Sequence, residues 1–149
     1  MPDDNAQTPR TSSPSQSPSA PQTSQVEIVR RFYGAKGDRE VIRSVVAPDA
    51  EWDVVEAFPK GGVYQGLDRI LDDFFGFLSD FREFQVIGDE YFEAEDRVIV
   101  LGRYVGATNG GAAVTSRFVH VFTLRNGQIT RLQQTCDTLP IARALEGLD

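Results

Sequence analysis

Two side chains stand out as able to do chemistry. His120 is the only histidine in the chain. It sits in an alternating run, with Phe118, His120, Phe122 and Leu124 on one parity and Arg117, Val119, Val121 and Thr123 on the other. A lone imidazole in an apolar row donates a hydrogen bond in either protonation state, and its ordinary pKa lies near working pH. A histidine bonded within the core and simply filling space fits the same row. The second is Asp137, in Gln134-Thr135-Cys136-Asp137-Thr138. A carboxylate beside phenylalanine side chains loses solvation, so its pKa rises and it becomes a better base near neutral pH. The same aspartate could cap the turn into a terminal helical stretch, Ile141 to Leu145, and the two roles are compatible. Cys136, the only cysteine, has no basic partner in sequence and reads as a small buried hydrophobe. One histidine and one cysteine exclude a multi-histidine or cysteine-based metal site and an intrachain disulfide.

The elements that position these residues follow from periodicity. Ile28/Phe32 and Val29/Tyr33 form an i, i+4 stripe, which predicts a helix from Gln25 to Ala35. Asp38 caps a second helix carrying Val41, Ile42, Val45 and Val46, which Pro48 stops. A strand, Ala50 to Glu56, carries the only tryptophan, Trp52, and Phe58 to Gly62 is a loop by composition. Leu67, Ile70, Leu71, Phe74, Phe75 and Leu78 then mark a third helix. Four strands follow: Phe84 to Glu93, Val98 to Ala107, Val114 to Leu124 and Gln128 to Thr135. Asn126-Gly127 is a strong hairpin signal, because both turn positions tolerate positive φ. Ile129 and Leu132, both apolar and three apart, suggest a bulge in the last strand. Helices first and antiparallel strands after give an α+β fold: one curved sheet with its helices on one face.

The chain has 149 residues with 22 acids against 15 bases, a net charge of −7, and nothing here would neutralise a phosphate backbone. No apolar run approaches the roughly 20 residues of a membrane span. Residues 1–24 contain five prolines, six serines and three threonines and no Val, Ile, Leu or aromatic residue. This composition predicts a disordered tail without the apolar stretch of a secretory signal, hence one folded domain over 25–149 and a cytoplasmic protein. Ten phenylalanines are the unusual feature of the composition.

The order of elements resembles the cone-shaped fold of the nuclear transport factor two superfamily, and more narrowly its SnoaL-like and ketosteroid-isomerase-like branch. The resemblance is carried by Phe58-Pro-Lys-Gly-Gly-Val-Tyr-Gln-Gly66, Val100-Leu-Gly-Arg-Tyr-Val-Gly106, Phe118 through Ile129, and Asp137-Thr138. It implies that three N-terminal-side helices and the concave sheet face enclose an apolar cavity into which Phe118, His120 and Phe122 point. It places His120 where the ketosteroid isomerases carry a protonated aspartic acid that donates to the substrate oxyanion. It places Asp137 where the SnoaL-like cyclases carry their acid/base. Two positions depart from the isomerases: the general base corresponds to Val54 and the helix tyrosine to Phe32, with Tyr33 adjacent. The Asp–Arg–Asp set of epoxide hydrolase relatives would need Arg103 inside, whereas an outward salt bridge suits Arg103 better.

The resemblance implies cofactor-free acid/base chemistry, as in an isomerase, cyclase or lyase, on a small apolar carbonyl compound. His120 and Asp137 would be catalytic, and Tyr33, Trp52, Phe58, Phe74, Tyr104, Phe118 and Phe122 would contact the substrate. The alternative is a non-catalytic homodimer that binds a small apolar ligand. A protein-docking module like the superfamily's founder is a third reading that nothing in the sequence favours. The two leading readings separate on whether His120 and Asp137 reach one cavity. No metal, cofactor, nucleic acid or membrane is expected. Ile99, Leu101, Val105, Val119 and Val121 form an apolar opposite parity, which predicts a homodimer through the sheet.

Overall fold

A computed structural model describes residues 24–147. The tail expected over residues 1–24 lies outside the described residues, apart from Ser24. That serine is the N-cap of the first helix and accepts from the Glu27 amide. The elements run α1 (Gln25–Gly34), α2 (Arg39–Val45), β1 (Val46–Val54), β2 (Gly62–Gln65), α3 (Leu67–Asp72), a 3-10 segment (Phe74–Asp80), β3 (Phe81–Ala94), β4 (Arg97–Thr108), β5 (Ala113–Arg125), β6 (Gln128–Cys136) and α4 (Leu139–Leu145). Asp38 caps α2 as expected, its carboxylate accepting from the Glu40 and Val41 amides.

The six strands form one sheet in the order β2-β1-β6-β5-β4-β3. All neighbours are antiparallel except β1 and β6, which run parallel. The expectation of a wholly antiparallel sheet is corrected on this point. Pro48 lies inside β1 because the β1–β6 pairing skips from Val46 to Glu51, so no ladder bond is required of it. In the β5–β6 ladder Thr123 faces Arg131 and Leu124 faces Ile129, which leaves Thr130 as the extra residue of the anticipated bulge. The Asn126-Gly127 turn has φ of +53° and +79°, as the hairpin requires.

The third helix departs from the single long helix that its periodicity predicts. It is α-helical only to Asp72 and tightens to 3-10 geometry through Phe74-Phe75-Gly76-Phe77. In a 3-10 turn residues three apart lie on one side, and Phe74 and Phe77 are both buried. The two rings lie 5.1 Å apart, centroid to centroid, between the helices and the sheet. The core lies between α1, α2, α3 and the concave sheet face, and the described residues contain no helix long and apolar enough to cross a membrane.

Candidate functional site

Strand β5 alternates cleanly: Phe118, His120, Phe122 and Leu124 are buried, and Arg117 and Arg125 are exposed. This parity directs His120 inward, where it meets two tyrosines. The Tyr33 hydroxyl from α1 lies 2.8 Å from His120 Nδ1, and the Tyr104 hydroxyl from β4 lies 2.8 Å from His120 Nε2. Gln134 Nε2, on β6, donates to the Tyr104 hydroxyl at 2.9 Å. Gln134 Oε1 in turn accepts from the Val55 amide at 3.2 Å. The result is one buried chain of polar groups crossing three strands and ending on α1.

Burial sets the protonation states. Desolvation pushes the His120 pKa down to about 3, so the ring is neutral at physiological pH. Desolvation also pushes the Tyr33 and Tyr104 hydroxyls far above the ordinary phenol range, so both keep their protons. The imidazole is stacked on Phe118, with centroids 3.8 Å apart and planes inclined by 15°. Gly102 makes that stack possible. A Cβ there would strike the Ile87 carbonyl oxygen and meet Phe118 Cζ at 2.5 Å.

Beside the chain opens a cavity of about 570 Å³. Phe32 and Tyr33 of α1 and Ile42 of α2 close one side. Phe58, Phe74, Phe75, Phe77 and Leu78 close another, and Trp52, Val54, Phe84, Val86, Tyr104, Leu132 and Gln134 form the sheet wall. Lys36 and Glu83, both exposed, mark the mouth. Among the described residues no three His, Cys, Asp or Glu side chains gather as a metal site would require.

Of the residues expected to contact a substrate, Tyr33, Trp52, Phe58, Phe74 and Tyr104 line this cavity together with His120. Phe118 and Phe122 do not. Phe118 stacks against His120, and Phe122, wholly buried, packs on Phe32, Tyr33 and His120. They support the histidine and hold no part of the wall. Tyr64 is also outside, its hydroxyl donating to the Lys60 carbonyl.

Asp137 is the main correction. It is exposed and lies at a separate depression on the outer sheet face with Leu101, Arg103, Arg117 and Val119. Backbone bonds fix it there, its amide donating to the Arg117 carbonyl and its carbonyl accepting from Ser116 Oγ. The expected catalytic pair of His120 and Asp137 is therefore not assembled, and the N-cap of α4 is Thr138, not Asp137. Cys136 is half-buried and its thiol pKa is raised by burial. Arg103 points outward and bonds Asp89 at 3.2 Å, which excludes it from an internal Asp–Arg–Asp set. Val54 faces the cavity as an apolar residue while Asp53 faces out to Arg131, so the isomerase base position holds no acid. Gln134, Phe77, Phe84 and Val86 are site residues that the sequence pattern did not reveal. Gln134 alone left a trace, since residue 134 follows Leu132 by two once the bulge is placed.

The described geometry matches known proteins. A family model described as a SnoaL-like domain matches residues 29–132. An NTF2-like protein from Burkholderia thailandensis is 31% identical, with 80% of this chain and 95% of that chain covered and a TM-score of 0.72. TerC, crystallised with polyporic acid, is 29% identical over 81% of this chain and 97% of its own, with a TM-score of 0.74. An NTF2-like protein of unknown function from Burkholderia pseudomallei is 26% identical over 80% and 95%, with a TM-score of 0.73. The curated proteins contain no match. On the family model, the helix-covered concave sheet and the enclosed aromatic cavity, the chain belongs to the SnoaL-like family of NTF2-like proteins.

Proposed function

We propose that this protein binds a small, largely apolar molecule in the aromatic cavity and holds it at one polar point, the end of the Tyr33–His120–Tyr104–Gln134 chain. The observation that carries this reading is a cavity of about 570 Å³ walled by aromatic rings and reached by a single buried polar chain. Its size falls in the usual range for small-molecule sites. The likeness to TerC, crystallised with polyporic acid, supports an aromatic ligand. The acid/base reading loses the residue it assigned as the base. Asp137 is on the other face, His120 engages both ring nitrogens, and the one carboxylate lining the cavity, Glu83, is exposed at the mouth.

Trp52, the only tryptophan in the sequence, is part of the wall and gives a built-in reporter. Titration with polyporic acid or 2-acetonaphthone should change its fluorescence saturably. Val54→Phe, which fills the cavity, should weaken that response while the melting curve stays cooperative. Unaltered affinity in the filled variant would refute binding in this cavity.

We also propose that the outer sheet face pairs two copies of the chain. Leu101 is 36% exposed and Phe92 48% exposed, and Ile99, Val119 and Val121 beside them are only half-buried. Charged side chains, Asp89, Glu90, Arg103 and Arg117, rim this apolar patch.

A further inference from the structure

We infer that the buried polar chain runs in one direction, so that Tyr33 presents its hydroxyl proton to the cavity and the ligand must bring an accepting oxygen, as a ketone or quinone carbonyl does. The ligand part rests on the binding reading above. The direction of the chain is a property of the empty protein.

The direction starts at the backbone. The Val55 amide, shared between the Gln134 carbonyl and Gln134 Oε1, can only donate, so the oxygen of that carboxamide must face it. The NH2 end is thereby turned to the Tyr104 oxygen at 2.9 Å, and that oxygen receives a proton. Among the described residues the other hydrogen-bond partner of the Tyr104 hydroxyl is His120 Nε2 at 2.8 Å. If Nε2 is bare, Tyr104 donates to it and each group from the Val55 amide to Nε2 is matched. If Nε2 carries a proton, Tyr104 accepts twice and its own buried proton has no acceptor.

The matched arrangement leaves the single proton of a neutral imidazole on Nδ1. Nδ1–H then donates to the Tyr33 oxygen at 2.8 Å. Among the described residues Tyr33 has no other hydrogen-bond partner, and it lines the cavity, so its own proton points there. A ligand oxygen that accepts it completes the chain. A ligand that can only donate either leaves the Tyr33 proton without an acceptor or moves the imidazole proton from Nδ1 to Nε2, which strands the proton on Tyr104. Gln134, Tyr104 and His120 are thus positioning residues, and Tyr33 is the group that reads the ligand.

His120 is the only histidine, so the imidazole nitrogen signals of 15N-labelled protein belong to it alone. At pH 7 the ligand-free wild type should show a protonated, pyrrole-type Nδ1 and a bare, pyridine-type Nε2. The opposite tautomer, or an imidazolium, overturns the inference. The ligand part is read with 2-acetonaphthone and 2-isopropenylnaphthalene, which differ only in C=O against C=CH2, followed by Trp52 fluorescence. Wild type should prefer the ketone by roughly tenfold, the worth of one neutral hydrogen bond, and Tyr33→Phe should bring the two affinities together. Comparing two probes on one variant cancels any loss of fold in Tyr33→Phe. Equal affinities in wild type, or a preference that survives Tyr33→Phe, overturns the ligand part. Binding of neither probe refutes the cavity reading itself, while the nitrogen signals still decide the direction of the chain.

Discussion

A histidine held neutral by burial makes stability depend on acid in a calculable way. His120 is surrounded by Tyr33, Tyr104, Phe118 and Phe122, with no carboxylate among its contacts, and its folded pKa is about 3 against 6.5 for an exposed imidazole. The unfolded chain therefore takes up a proton below about pH 6.5 that the folded chain refuses until about pH 3. The stability contribution is complete above pH 6.5 and is lost as pH falls from there toward 3. A one-proton difference between the two states costs about 1.4 kcal/mol for every pH step of one, so the loss by pH 4.5 is about 3 kcal/mol. Urea denaturation of wild type and His120→Gln at pH 7, 5.5 and 4.5 isolates this slope. Other acid-sensitive contacts, such as Arg131 with Glu51 and Asp53, are common to both proteins and cancel. Wild type should lose on the order of 3 kcal/mol more than the variant across this range. Equal losses, or a folded-state histidine signal that titrates near pH 6, would show that the ring is solvated and the reasoning wrong.

Removing the Tyr104 hydroxyl strands Gln134 Nε2 and His120 Nε2 in the core, so Tyr104→Phe should cost about 2–3 kcal/mol in denaturant unfolding. Gly102→Ala should cost at least about 2 kcal/mol by the same measurement, because the new methyl collides with the Ile87 carbonyl and with Phe118. Asp137→Asn should leave probe affinity in the Trp52 titration unchanged within twofold, since the residue is on the outer face. A tenfold loss would put Asp137 in the site after all. Leu101→Glu, placing charge on the outer patch, should shift the sedimentation coefficient from dimer to monomer; a wild type that sediments as a monomer refutes the pairing.

Local signals carried much of the fold. The β5 alternation, the Asn126-Gly127 turn and the Asp38 cap are each complete within a few residues, and each is found in place. What escaped depends on distant partners. Strand β2 is four residues long and exists because Trp52 and Asp53 pair with Tyr64 and Val63. The tightening to a 3-10 turn after Asp72, which brings the Phe77 ring centroid to 5.1 Å from that of Phe74, has no local signal in the apolar spacing. Gln134 and Asp137 lie three apart near the end of the chain, and only the β6 bulge and the chain's exit at Cys136 decide which of them faces the cavity. His120 was identifiable as the inward polar group. Its partners were not, because Tyr33 and Tyr104 stand 87 and 16 residues away in sequence.

The two sides of the cavity are built from unlike material. Gln134, Tyr104 and His120 of the polar chain hang on paired strands, whose ladders fix them from both sides, and Tyr33 joins them from α1. Phe74, Phe75 and Phe77 hang on a 3-10 segment, whose hydrogen bonds are individually poorer than those of an α-helix. Such segments belong to the low-stability end of a fold, so amide exchange should be faster there than in β5. A pocket made this way is strict about one atom and lenient about outline. Substitutions in the aromatic wall then alter which outline is accepted while the polar chain stays in place.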